Sequence, residues 1–84
     1  MSEITYTTKG TCSKQIIINV DENNIIQKVS FIGGCSGNTQ GVSALVVGMD
    51  VDEAIRRLSG IKCGPRSTSC PDQLANALIQ LKNQ

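Results

Sequence analysis

The chain has no histidine and no tryptophan, and its aromatic residues are Tyr6 and Phe31 alone. Without histidine, nucleophilic hydrolysis of the Ser–His or Cys–His kind has no base to rely on, and no serine or cysteine has an evident substitute beside it. With aromatics this scarce, the usual platform on which the bases of a single-stranded nucleic acid stack is missing. Charge of one sign is lacking too. A formal net charge of +1 creates no field that would steer the chain to nucleic acid or to an anionic membrane. No apolar run approaches the ~20 residues needed to cross a bilayer. The start, Met1-Ser2-Glu3-Ile4-Thr5, has neither a basic segment nor an apolar one, so no secretory signal is expected. The expectation is a cytoplasmic protein that binds neither nucleic acid nor membrane, in a compartment where structural disulfides are uncommon.

What is present is an ordinary globular composition, 39% hydrophobic and 18% charged, over 84 residues. That length corresponds to one domain, 1–84, with a small core that gains from a staple such as a metal site or a disulfide. The first part reads as β. Ile4, Tyr6 and Thr8 alternate with polar neighbours, and Lys14 to Val20 carries the β-branched run Ile16-Ile17-Ile18. Asp21-Glu22-Asn23-Asn24 is a turn cluster, and Ile25 to Ile32 reads as a third strand. The short connections predict an antiparallel meander.

After Gly33-Gly34 the period changes. Val42, Leu45, Val46 and Met49 fall on one face of a helix, and Val51, Ala54, Ile55 and Leu58 on one face of another. Asp50 reads as the N-cap of the second helix, with Glu53 as its capping-box partner and Gly60 as its stop. Arg56-Arg57 reads as a solvated face of that helix. In the last helix Pro71 suits the first position, Asp72 complements the dipole, and Leu74, Ala77, Leu78 and Leu81 form the apolar stripe. The predicted class is α+β, a three-stranded antiparallel sheet followed by two or three helices packed on one face.

The four cysteines are Cys12, Cys35, Cys63 and Cys70, and no two of them form a C-x-x-C. Each falls at a junction between elements, and none falls in an apolar stripe, where a packing cysteine would sit. Cys35 and Cys70 precede predicted helices, whose N-terminal partial charge favours thiolate, and Arg66 adds a cation between Cys63 and Cys70. Four thiolates match the ligand set of structural zinc and of iron–sulfur clusters. Redox-active thiols, disulfides and unconnected thiols remain as alternatives at this point. So does an anion or nucleotide site, built from the turn Gly33-Gly34-Cys35-Ser36-Gly37 or from Arg66, Thr68 and Ser69 at the last helix. The glycine run is not a P-loop, because no Gly-Lys-Ser/Thr follows it.

The pentapeptide Thr68-Ser69-Cys70-Pro71-Asp72, with Cys12, the Gly34-Cys35 turn, Gly41 and the stretch from Gly48 to Ala54, resembles the TSCPD domain. The resemblance covers most of the chain. It implies a relation to the C-terminal domain of adenosylcobalamin-dependent ribonucleotide reductases and to standalone four-cysteine proteins. The reductase's barrel, radical site and nucleotide pocket do not fit in 84 residues. Adenosylcobalamin therefore concerns this chain only through association with such an enzyme, as a binding partner or through Cys63 and Cys70 as a redox pair. A looser similarity runs to U-type iron–sulfur scaffold proteins. Only Cys35 and one of Cys63 or Cys70 carry over from it. The aspartate that family places beside its first cysteine is replaced by Ser36-Gly37-Asn38, and its late histidine ligand is absent. The leading expectation is a four-cysteine module binding zinc or an iron–sulfur cluster.

Overall fold

The computed structural model describes residues 2–8, 13–33, 36–62, 64–65 and 68–83. Three strands come first: β1 (Ser2–Thr7), β2 (Ser13–Val20) and β3 (Ile26–Gly33). They form an antiparallel meander in the order β1-β2-β3. Three helices follow, α1 (Ser36–Val46), α2 (Val51–Leu58) and α3 (Cys70–Lys82), which gives the expected α+β arrangement.

The period of two decides which face of the sheet is buried. Ile16, Ile18 and Val20 of β2 point inward and are almost fully buried, opposite Tyr6 and Ile4 of β1 and Phe31 and Val29 of β3. Leu74, Ala77, Leu78 and Leu81 of α3 close the core over them, with Val46, Val51 and Ala54 from the other helices. Burying one Leu or Ile side chain is worth about 1.5–3 kcal/mol. In a core this small, α3 is therefore a principal source of stability. The β2–β3 register shifts twice, once between Ser13 and Gln15 and once where Gln27 is inserted into β3, between the pairs Val20↔Ile26 and Asn19↔Lys28. The inward set of β3 consequently changes from Ile26 to Val29 and Phe31.

The helices depart from the sequence reading in three respects. The buried side of α1 carries Thr39, Val42, Ser43 and Val46, whereas Leu45 is 77% exposed and Met49 lies beyond the helix end. The predicted stripe through Leu45 and Met49 is thus displaced by about one turn. Gly48, with φ of +88°, ends the helical path there, and polar Thr39 fills the place of an apolar residue. Asp50 is the N-cap of α2, and its carboxylate accepts from Asp52 N–H at 2.9 Å. Glu53 does not close a capping box. Its carboxylate accepts from Arg56 at 2.6 Å and Arg57 at 2.9 Å, because two guanidinium groups one turn away compete better than one backbone N–H. In α3 the N-cap is Ser69, so Cys70 takes the first helical position and Pro71 the second. Both positions suit proline, since the N–H of a first-turn residue has no partner within the helix.

The segment before α2 also pairs with the start of β3. Gly48 N–H donates to Ile26 O at 2.8 Å, Ile26 N–H to Met49 O at 2.9 Å and Val51 N–H to Asn24 O at 2.9 Å. At the other end of α2, Gly60 N–H donates to Asp72 of α3, while Asp52 near its start pairs with Lys82 at the end of α3. These two links make α2 and α3 antiparallel. The C-terminus of α3 therefore lies near the beginning of β3. Its N-terminus is about 18 Å away along the axis, at 1.5 Å per residue.

Candidate functional site

The pentapeptide from Thr68 to Asp72 closes the N-terminus of α3. Ser69 has extended backbone angles, and its Oγ accepts from Asp72 N–H at 3.1 Å. The same hydroxyl donates to the carbonyl of Ile61 at 2.6 Å. Thr68 Oγ1 donates to Asp72 Oδ2 at 2.5 Å and accepts from the buried Gln73 amide at 3.0 Å. Asp72 Oδ1 accepts from Gly60 N–H at 2.7 Å, a link made possible by the positive φ of Gly60, +84°. The result is a clasp. Two hydroxyls and one carboxylate bind the helix to the chain that leaves α2, and satisfy backbone groups that helix ends leave open.

Cys70 stands inside this clasp and is 5% exposed. It is buried, yet it is not a member of the main hydrophobic cluster that holds Leu74 and Leu78. Its position at the helix N-terminus agrees with the junction read from the sequence. Cys12, Cys35 and Cys63 lie outside the described residues, as does Arg66. Among the described residues, no three His, Cys, Asp or Glu side chains gather as a metal-binding group. Thr68 and Ser69 are described, and both hydroxyls are engaged within the clasp. Ser13, the residue after Cys12, is paired with Gly33, which precedes Gly34-Cys35. Ile61, held by Ser69, precedes Lys62-Cys63.

Two contributors were not read from the sequence. The sequence marks Asp72 as a dipole partner, whereas in the fold it also ties the helix to Gly60. The sequence offers Ser69 to an anion, whereas in the fold it reaches back to Ile61. The signal for the second was available, since a Ser before a Pro-Asp helix start is an N-cap pattern. The signal for the first was not, because no spacing rule links residues so far apart.

Among the described residues the other charged side chains are exposed or half-buried. Glu53 has its carboxyl held below the ordinary glutamate range, first by the hydrogen bond from Arg57 and further by the charge of Arg56. Among the described residues no helix is long and apolar enough to cross a membrane.

The fold and the clasp together define a class: a small α+β domain in which a Thr-Ser-Cys-Pro-Asp sequence seals the N-terminus of the last helix. The chain belongs to the TSCPD domain family, whose model matches residues 1–82. Neither a curated protein nor a solved structure matches it.

Proposed function

We propose that this chain is a metal-binding module in which Cys12, Cys35, Cys63 and Cys70 supply thiolates to one zinc ion or one iron–sulfur cluster. One observation carries the reading: the chain segments that flank the four cysteines are joined two by two. The Ser13↔Gly33 pair brings together the backbone next to Cys12 and the backbone leading to Cys35. The Ser69–Ile61 hydrogen bond does the same for the backbone leading to Cys63 and the start of α3 at Cys70. The Cys70 thiol is buried at the start of α3. The donor set also fits by its chemistry. With no histidine in the chain, sulfur is the available soft donor, and four thiolates complete either group.

Such a module is structural or electron-carrying and is not an enzyme by itself. We place it beside a ribonucleotide reductase on the strength of the family resemblance. The test is metal and sulfide content of untagged protein purified without oxygen, with the absorption spectrum, for the native chain and each Cys→Ser variant. The expected result is one zinc or one cluster per chain, lost in every variant. Full metal content in all four variants refutes the assignment.

The same Ile61–Ser69 bond favours a second reading, a redox pair of Cys63 and Cys70. Oxidation of the two thiols to a disulfide would release two electrons and two protons to a disulfide of the partner reductase, which becomes a dithiol. This reading requires reversible cross-linking of the two cysteines in metal-free, folded protein, measurable by mass spectrometry against a redox buffer series. The nucleotide or anion reading rests on Arg66, Thr68 and Ser69. It is tested by titrating nucleotides and inorganic phosphate against thermal melting.

A further inference from the structure

The outer edge of β3 is nearly without charge. An open hollow of about 420 Å³ is lined by Val29, Ser30 and Phe31 of β3 and by Thr39, Gln40 and Ser43 of α1. Ser30 pairs with Ile17 and so faces the opposite side of the sheet from Val29 and Phe31. A hollow touching all three must lie on the edge of the strand.

The phase of the ladder shows what that edge presents. Thr8 N–H donates to Lys14 O, so the even-numbered residues of β2 turn their backbone groups to β1. Asp21 N–H donates to Ile25 O, so the odd-numbered ones turn to β3. Asn19, Ile17 and Gln15 therefore bond Lys28, Ser30 and Ile32. Val29 and Phe31 direct their N–H and C=O groups outward, and the described residues supply no backbone partner for them. At Ile26 the same edge is already covered by Gly48 and Met49. Among the described residues, the stretch without a backbone partner on that edge is 27–33, and its midpoint is Ser30.

Proteins usually guard such an edge with charge, proline or a covering segment. Here Lys28 is the only charge in β3, and neither a charged residue nor a proline occurs from there to Asp50, across the whole of α1. We propose that this edge pairs antiparallel with the same edge of a second copy of the chain, about a two-fold axis at Ser30. Val29 then exchanges both backbone hydrogen bonds with Phe31 of the second copy, and Phe31 with its Val29. The result is a continuous six-stranded sheet. Lys28 falls opposite Ile32, so like charges do not meet. The ladder from 27 to 33 fills the free stretch and stops where the contact with Gly48 and Met49 begins. The neutral edge and neutral α1 suit a copy of themselves better than a charged partner.

The test uses the full chain under reducing conditions, with sedimentation across a concentration series and amide hydrogen exchange. The expected result is a dimer whose Val29 and Phe31 amides become protected as it forms. At the axis the two Ser30 residues form a non-hydrogen-bonded pair, with Cα atoms about 4.5 Å apart. Ser30→Glu and Ser30→Lys should each weaken the dimer several-fold, since like charges then face each other, and a mixture of the two variants should restore it. Both substitutions sit on the solvent face, and circular dichroism checks that they fold. A chain that stays monomeric throughout the series overturns the proposal and leaves the edge to a foreign strand. A dimer unaffected by either variant, with Val29 and Phe31 amides unprotected, overturns it as well.

Discussion

The carboxylate of Asp72 accepts from Gly60 N–H, twelve residues earlier in the chain, and from the Thr68 hydroxyl. Removing it leaves the exposed Gly60 N–H to water and the part-buried Thr68 hydroxyl without its charged acceptor. Such a loss costs about 1–3 kcal/mol. Asp72→Ala is therefore expected to lower the unfolding free energy by about that amount in urea melts, and Asp72→Asn by less, since an amide oxygen still accepts. Ser69→Ala removes an N-cap, ordinarily worth about 1 kcal/mol, together with the donor to Ile61, and its loss should exceed that of an isolated cap. An effect of Ser69→Ala within error of zero would show that the clasp contributes nothing to stability. At Gly60 and Gly48 a methyl group would meet no atom within 4 Å, so an alanine there costs only what positive φ imposes. That is about 1–2 kcal/mol.

At the scale of elements, α2 and α1 make an instructive contrast. α2 places Asp52 and Glu53 in its first turn and Arg56 and Arg57 in its last, the charge order a helix dipole favours. The folded pKa of Glu53 is depressed. The stability it contributes is therefore present above the unfolded carboxyl pKa and lost as the pH falls through the folded one. The native chain should be slightly more stable than Glu53→Gln at neutral pH. The difference should vanish in acid, as read from melting temperatures over a pH series. α1 carries no charge in its first or last turn, so its place is decided by packing on β3. Leu45→Gln, at an exposed position, should change stability by no more than about 0.5 kcal/mol. Leu74→Ala, at a fully buried position of α3, should cost about 2–5 kcal/mol. A large loss for Leu45→Gln in the monomer would contradict the observed face of α1.

Across the whole molecule, metal binding and stability are linked. A group bound by the folded chain alone adds stability that grows with its free concentration, about 2.7 kcal/mol at a hundredfold excess over Kd. If Cys12, Cys35, Cys63 and Cys70 hold zinc, thermal melts should rise with added zinc and fall with a chelator. Each Cys→Ser variant should lose that response. An unchanged melting temperature across the zinc series would speak against a shared site.

How much of this was legible in the sequence depends on the distance over which each interaction acts. Period-two alternation along Ile4 and Tyr6, the β-branched run at Ile16 to Ile18, and the stripe of α3 specify strand, strand and helix. They do so because side chains on one face of an element share a fixed spacing. The order of elements and the α+β class follow from that, and the Thr-Ser-Cys-Pro-Asp sequence specifies the family. The chain path alone decided the rest. It selected Thr39 over Leu45 for the buried side of α1, because Gly48 ends the helical path and the next residues turn to pair with β3. It joined Gly60 to Asp72 and Ile61 to Ser69, and among the described residues it placed no backbone partner on the outer edge of β3 from Gln27 onward. Hydrogen bonds of this kind form between residues distant in sequence, so no local period encodes them, and only the packed structure brings donor and acceptor within reach.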